Sequence, residues 1–356
     1  MEYGISRSRR PHRAAGIPFL FVIVVIAIAG AYAAASAAGG DPTRALWISP
    51  SVMSSAPAIR RAVSSAVSGG FDTVIAPVAL GARAESDAFD GPTELLRHAR
   101  ENGLRVHLSV AVNVAAGVGE LPAAREHVIY QHPDWLMVPR QLAPEMLKID
   151  GRSPAYLGQI ARWTRLNADR VEGLYLSPLD PDAASYLVGA VVAAIQRYAA
   201  DGVYLEALDF PGRDFDYSRH AMELFRSRMR AELSPAERAR MEEVEAIDPF
   251  GYPEEFPDEW RAFREAALTR LLERLRAALS TANPSTAITA GAAADPDASV
   301  RDHFQNWRTW LDRGIVERIG YRHRSTSTVL FSIDGAIPPD SPGPARIQAA
   351  AIGVSR

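Results

Sequence analysis

The sequence predicts an α/β fold, a (β/α)8 TIM-like barrel, with long inserts after its third and fourth strands. Three observations carry this reading. Apolar runs of strand length alternate with amphipathic runs of helix length. Successive strands are separated by a dozen residues or more, the length a parallel crossover requires. The two longest breaks in the rhythm, residues 113–180 and 234–260, each come after a strand.

In chain order, "RALWIS" (44–49), "FDTVIAPV" (71–78) and "LRVHLSVAV" (104–112) read as strands. They are almost continuously apolar, as strands covered on both faces must be. "APAIRRAVSSAVSGG" (56–70) and "PTELLRHARENG" (92–103) read as helices, each ending in Gly. The rhythm then breaks into a Pro- and Gly-rich excursion holding "HPDWLMVPR" and "GLYLSPLDP". Helix "DAASYLVGAVVAAIQRYAA" (182–200) leads into a fourth strand at 202–208. After the acidic, aromatic insert come helix 259–280, strand "TAITAGAA" (286–293), helix "RDHFQNWRTWLDRG" (301–314) and strand "VERIGYR" (316–322). The last quarter fits less well. "TVLFSID" (328–334) begins too soon after residue 322 for a helical crossover. Either "TVLFSID" and "AAAIGVS" (349–355) are strands seven and eight with irregular connections, or the barrel is incomplete there.

Residues 1–40 form a separate segment. A basic flank precedes an uncharged run from Ile17 to Ala38, the layout of a secretory signal, or of a membrane anchor if uncleaved. In either case the remainder is expected to be exported, with the barrel over 41–335 and a last strand or tail over 336–356. The first 40 residues hold four Arg and one Glu, +3, so a total of −3 leaves −6 on the rest. A mildly acidic exported domain argues against nucleic acid as a partner. With no cysteine, disulfides, thiolate metal sites and cysteine nucleophiles are excluded. The histidines show neither HxH nor HExxH spacing, so no metal and no cofactor is expected.

The candidate site follows from the barrel. Reacting groups lie at the carboxyl ends of its strands. Glu206 ends the apolar run "GVYLE", and Asp209 follows in the loop. A partly desolvated carboxyl there has a raised pKa and can donate a proton, and glycoside hydrolysis needs two carboxyls about the scissile bond. Glu206 is the candidate general acid. Asp209, Asp214 or Asp180 is its partner, a choice the sequence leaves open. Trp47, Trp135, Tyr175, Trp260 and Tyr321 fall at or beyond strand ends, where aromatic faces stack on sugars. His107 shares a strand face with Ser109, Ala111 and, beyond them, Asn113. Trp47, His107, Glu206 and Tyr321 are expected to converge at one end. The expected partner is a polysaccharide or glycan strand, bound by an active hydrolase or by a barrel that has lost its chemistry.

In order, "RALWIS", "GFDTVIAPV", "GLRVHLSVAVN", "HPDWL", "LDPDAASYLVGAVVAAIQRYAADGVYLE", "EWRAFR" and "WRTWLDRGIVERIGY" resemble the glycosyl-hydrolase-like family 10 proteins over roughly residues 43–322. "RYAADGVYLE" is similar to that family's "rYdvDGihlD". The resemblance implies an exported bacterial protein with a TIM-barrel catalytic domain. Where an activity is known in that family, it is cleavage of peptidoglycan strands that lack stem peptides. By position the resemblance sets Glu206 where the family has its first strand-end Asp, matches Asp201 and Gly202, and aligns Trp47, His107, Trp135 and Trp260 with family residues. Glu for Asp moves the carboxyl by about 1.5 Å, one C–C bond. The stretch that follows, "ALDFPG", and the residues Ser109 and Ala111 also depart from the family pattern.

Overall fold

A computed structural model describes residues 44–80, 89–119, 121–292, 295–323 and 328–332, with backbone alone for 321–323 and 328–332. Six strands form a parallel curled sheet: β1 (Arg44–Trp47), β2 (Thr73–Pro77), β3 (Arg105–Ala111), β6 (Gly202–Glu206), β7 (Ala287–Gly291) and β8 (Arg318–His323). A seventh, β9 (Thr328–Ser332), lies antiparallel to both β8 and β1 and closes the sheet on itself. Among the described residues the barrel thus has seven strands, not eight parallel ones. The connection after His323 is too short for a crossover helix, so β9 can only fold back as a hairpin. The alternative strand at 349–355 lies outside the described residues, as does the segment 1–40 expected to be a signal or anchor.

The remaining two strands, β4 (Val114–Gly117) and β5 (Gly173–Tyr175), form an antiparallel pair apart from the barrel. The insert after β3 thus carries its own small sheet, and β4 continues β3 beyond the barrel's carboxyl end.

The helices begin and end as their sequences dictate. α1 (Ala56–Ser68) has a proline in its first turn, and the chain leaves it through Gly70 at φ 68°. In α2 (Gly91–Glu101), the Asp90 side chain accepts from Thr93 N at 3.1 Å. The insert after β3 contributes α3 (Pro154–Leu166), and α4 (Pro181–Tyr198) then leads to β6. The insert after β6 contributes α5 (Arg219–Glu232) and α6 (Pro235–Ile247). α7 (Pro257–Ala282) packs along α4. Two short helices, α8 (Pro296–His303) and α9 (Trp307–Asp312), connect β7 to β8.

Alternation along each strand sends one set of residues outward and one inward. Leu46, Val74, Val106, Leu108, Val203 and Leu205 join the core beneath the helices. Ala45, Ile75 and Tyr204 meet inside the barrel, with Trp47 packed against them. Glycines make room for two inward side chains. A Cβ on Gly202 would lie 2.6 Å from His107 Nε2, and one on Gly320 would overlap the Tyr204 ring. Tyr204 crosses the barrel and donates to Gly320 O at 3.3 Å.

The expected convergence of four residues is therefore corrected. His107 stands in register with Gly202, and Glu206 with Ala111. Four residues at ~3.3 Å each put His107 about 13 Å below Glu206 along the ladder. It is 1% exposed. Burial, with Arg105 and Arg318 nearby, pushes its imidazole down to about 4. His107 is a neutral plug in the barrel's amino half and not a cleft residue.

Candidate active site

A cleft of about 720 Å³ opens at the carboxyl end of β6. Tyr204 and Gly291 form its floor; Glu206, Ala207 and Asp209 come from β6 and its loop. One wall is the 168–172 loop with Tyr175; the other carries His303 and Gln305 from the α8–α9 region. This is the end of a β/α barrel at which side chains from several strands can meet one ligand.

Local backbone geometry brings the two β6 acids together. Ala207 holds φ 46°, left-handed for a residue with a Cβ, at a cost of roughly 1–2 kcal/mol. The turn ends the strand at Glu206 and starts the loop that carries Asp209. Asn113 fixes it: its backbone N donates to Ala207 O at 3.1 Å, and its Nδ2 to Asp209 O at 3.1 Å. Gln305 Nε2 holds the other side, donating to Leu208 O at 3.1 Å and Gly291 O at 3.2 Å.

Farther along, the loop is anchored by a buried polar node. Asp216 accepts from Val138 N and Ser218 N, each at 2.8 Å, and from Ser218 Oγ at 3.0 Å. One carboxylate thereby ties together both inserts. Arg264, 4% exposed, donates to the carbonyls of Arg213 and Phe215 and lies over the Phe304 ring at 4.0 Å. Arg170 reaches from the cleft's facing wall to Asp214 Oδ2 at 3.1 Å.

The electrostatics centre on Asp209. Its pKa is raised: burial is the largest cause, the charge of Glu172 across the cleft adds to it, and His303 opposes it. His303 Nδ1 lies 3.4 Å from Asp209 Oδ2 and 3.3 Å from Phe210 O. The bond to Asp209 raises the pKa of His303 against the opposing effect of burial.

Of the residues singled out in the sequence, Glu206, Asp209 and Tyr175 line this cleft. Asn113 does not touch it. It is fully buried and acts on the loop from behind. Trp260 is a correction. At 1% exposure it sits in the first turns of α7, packed on Phe225 at 4.8 Å and Tyr217 at 5.7 Å. A long insert precedes α7, so its start is covered by α5 rather than by the barrel mouth. Trp47 packs on the interior group below the cleft, and Trp135 stacks on His132 at 3.8 Å within the first insert; neither is among the cleft's lining residues. The Tyr321 side chain lies outside the described residues. Of the other partner candidates, Asp180 caps α4, accepting from Asp182 N and Ala183 N at 2.9 Å, and Asp214 is engaged by Arg170. Asp169, Arg170, Glu172, His303 and Gln305 are polar cleft residues that sequence reading missed.

No curated protein matches the chain in sequence. The β-galactosidase of the psychrophilic Marinomonas ef1 superposes with TM-score 0.50 at 8% identity, over 78% of this chain and 40% of that one. The glycoside hydrolase domain of PgaB (BpsB) from Bordetella bronchiseptica gives 0.47 at 13% identity, over 79% and 74%. The catalytic domain of β-amylase from Paenibacillus polymyxa gives 0.49 at 10%, over 78% and 75%. At 8% identity the likeness to the β-galactosidase is one of fold alone. The sequence itself matches a family model, glycosyl hydrolase-like 10, over residues 80–329, a span that takes in β3, β6, both inserts and every residue of the cleft wall. The chain belongs to the glycosyl hydrolase-like 10 family.

Proposed function

We propose that this protein is an exported glycoside hydrolase acting on cell-wall polysaccharide, with Glu206 as general acid and Asp209 as the second carboxyl. The observation that carries the reading is the placement of Glu206 and Asp209 in one cleft at the barrel's open end. Hydrolysis of a glycosidic bond requires one group to protonate the leaving oxygen and another to supply or become the nucleophile. Tyr175 lines the same cleft, though most of its ring is buried in the core beneath it. Export rests on the basic flank and the uncharged run Ile17–Ala38. Membership of a glycosyl hydrolase-like family supports a glycan as substrate.

The test is release of reducing ends from peptidoglycan strands that lack stem peptides. The parent protein should turn them over. Glu206→Gln, which keeps shape and removes the proton donor, should lower turnover by about 10²–10⁴-fold. Calorimetry should show that this variant still binds the glycan. A parent that binds without turnover would identify a sugar-binding barrel instead.

A further inference from the structure

We propose that His303 is the positioning residue of this site: it orients Asp209 opposite Glu206 and favours its ionised form. The inference rests on the glycoside hydrolase reading above and adds a residue to it.

The geometry is specific. His303 is the last residue of α8, and Phe304 follows at φ 60°, which turns the chain out of the helix. The break aims the polar side chains on either side of Phe304 at one loop. Gln305 bonds the carbonyl of Leu208, and His303 Nδ1 faces both Asp209 Oδ2 and Phe210 O. Residues 208, 209 and 210 are thus each held from the same wall. With Asn113 on the Asp209 carbonyl, the loop backbone is fixed from two sides, and His303 is the partner that reaches the carboxylate itself.

A carboxylate that must accept a proton or attack carbon has to remain ionised although it is partly withdrawn from water. A histidine at ion-pair distance favours the ionised form, and the two oxygens facing its Nδ1 orient the ring toward the loop. The other charges around His303 do not replace it. On its own helix Asp302 pairs with Arg301 at 2.8 Å and lies 3.6 Å from Arg213 of the β6 loop. Arg264 lies under Phe304. Across the cleft stand Asp169, Arg170 and Glu172, with Arg170 committed to Asp214 and Glu172 acting on Asp209 in the opposite sense to His303. Glu206 completes the set.

Opposite effects of two neighbours on one carboxylate give a test that a merely structural role would not reproduce. kcat and KM are measured from pH 4 to pH 9 on denuded peptidoglycan strands for the parent, His303→Ala, His303→Asn and Glu172→Gln, with a melting curve for each. The limb in which activity rises with pH reports Asp209 losing its proton. His303→Ala should lower kcat about 10–100-fold, the usual worth of a group that orients a reacting one, with KM little changed. It should also move that limb to higher pH. His303→Asn keeps a neutral donor at the Nδ1 position, so it should recover most of kcat while the limb stays displaced. Glu172→Gln should move the limb to lower pH. An active parent whose acid limb is unmoved in both His303 variants overturns this inference alone. Loss of turnover in Glu172→Gln as deep as in Glu206→Gln overturns it too, by making Glu172 the second carboxyl. A parent without turnover overturns the hydrolase reading on which it rests.

Discussion

The sealed lower interior of the barrel and the cleft at its carboxyl end each hold a histidine, with opposite consequences. In the amino half, His107 faces inward over Gly202 and is sealed, with its imidazole held neutral by burial. At the carboxyl end, His303 faces Asp209 beside an open cleft, and its pKa is raised by that partner. Between them Tyr204 crosses the barrel as a floor. An ionisable residue on an inward strand position is therefore not evidence of chemistry. What distinguishes the two levels is access to water and a charged partner, and the glycines at 202 and 320 are what let the lower level close.

Variants on either side of the Tyr204 floor should separate these roles. The largest effect expected is that of Glu206→Gln, confined to turnover, with the melting temperature within a degree or two of the parent's. Trp260→Ala should do the reverse. Removing a large aromatic at 1% exposure costs about 3–5 kcal/mol of stability. Because Trp260 lies in the helix layer, glycan affinity of the folded fraction should not change. Denaturant unfolding together with calorimetry checks both arms.

His107 supplies a pH signature for the sealed half. Its folded-state pKa is near 4, against 6.5 when unfolded. The unfolded chain therefore takes up the proton first, and as pH falls from about 6.5 to 4 it gains up to about 3 kcal/mol relative to the native state. Stability is fully retained above pH 6.5 and lost through that window. His107→Gln should flatten this part of the stability profile, measured as denaturant midpoints at a series of pH values. The smallest effect expected is that of Gly202→Ala, whose Cβ would crowd His107, at about 1–3 kcal/mol. A Gly202→Ala protein as stable as the parent would show that the lower half is looser than this packing implies.

Much of the barrel was legible because parallel strands and their helices are written locally. Six apolar runs coincide with β1, β2, β3, β6, β7 and β8, and both inserts fall after the strands expected to carry them. The closing hairpin was readable only as a misfit in spacing, since nothing in "TVLFSID" states its direction. The candidate site was half legible. Glu206 and Asp209 stood out because an acid interrupts an apolar run. His303 gave no such signal. "RDHFQNWRTWLDRG" reads as one helix, and only the left-handed Phe304 breaks it and turns His303 toward an acid 94 positions earlier in the chain. Glu172 was hidden because the excursion after β3 has no periodicity to orient it. Trp260 and His107 misled for the converse reason: aromatic and titratable character were visible, but burial was not.

The central claim is that Glu206 and Asp209 flank one glycan-binding cleft. The measurement that tests it most directly is a crystal structure of the Glu206→Gln protein with an oligosaccharide from denuded peptidoglycan strands. A glycosidic linkage is expected in the cleft above Tyr204, between Glu206 and Asp209. The carboxyl-to-carboxyl spacing in the parent protein should be about 5–5.5 Å for a retaining mechanism or about 6.5–9.5 Å for an inverting one. An oligosaccharide seated on another surface, with the cleft at β6 left vacant at saturating ligand, would contradict the account.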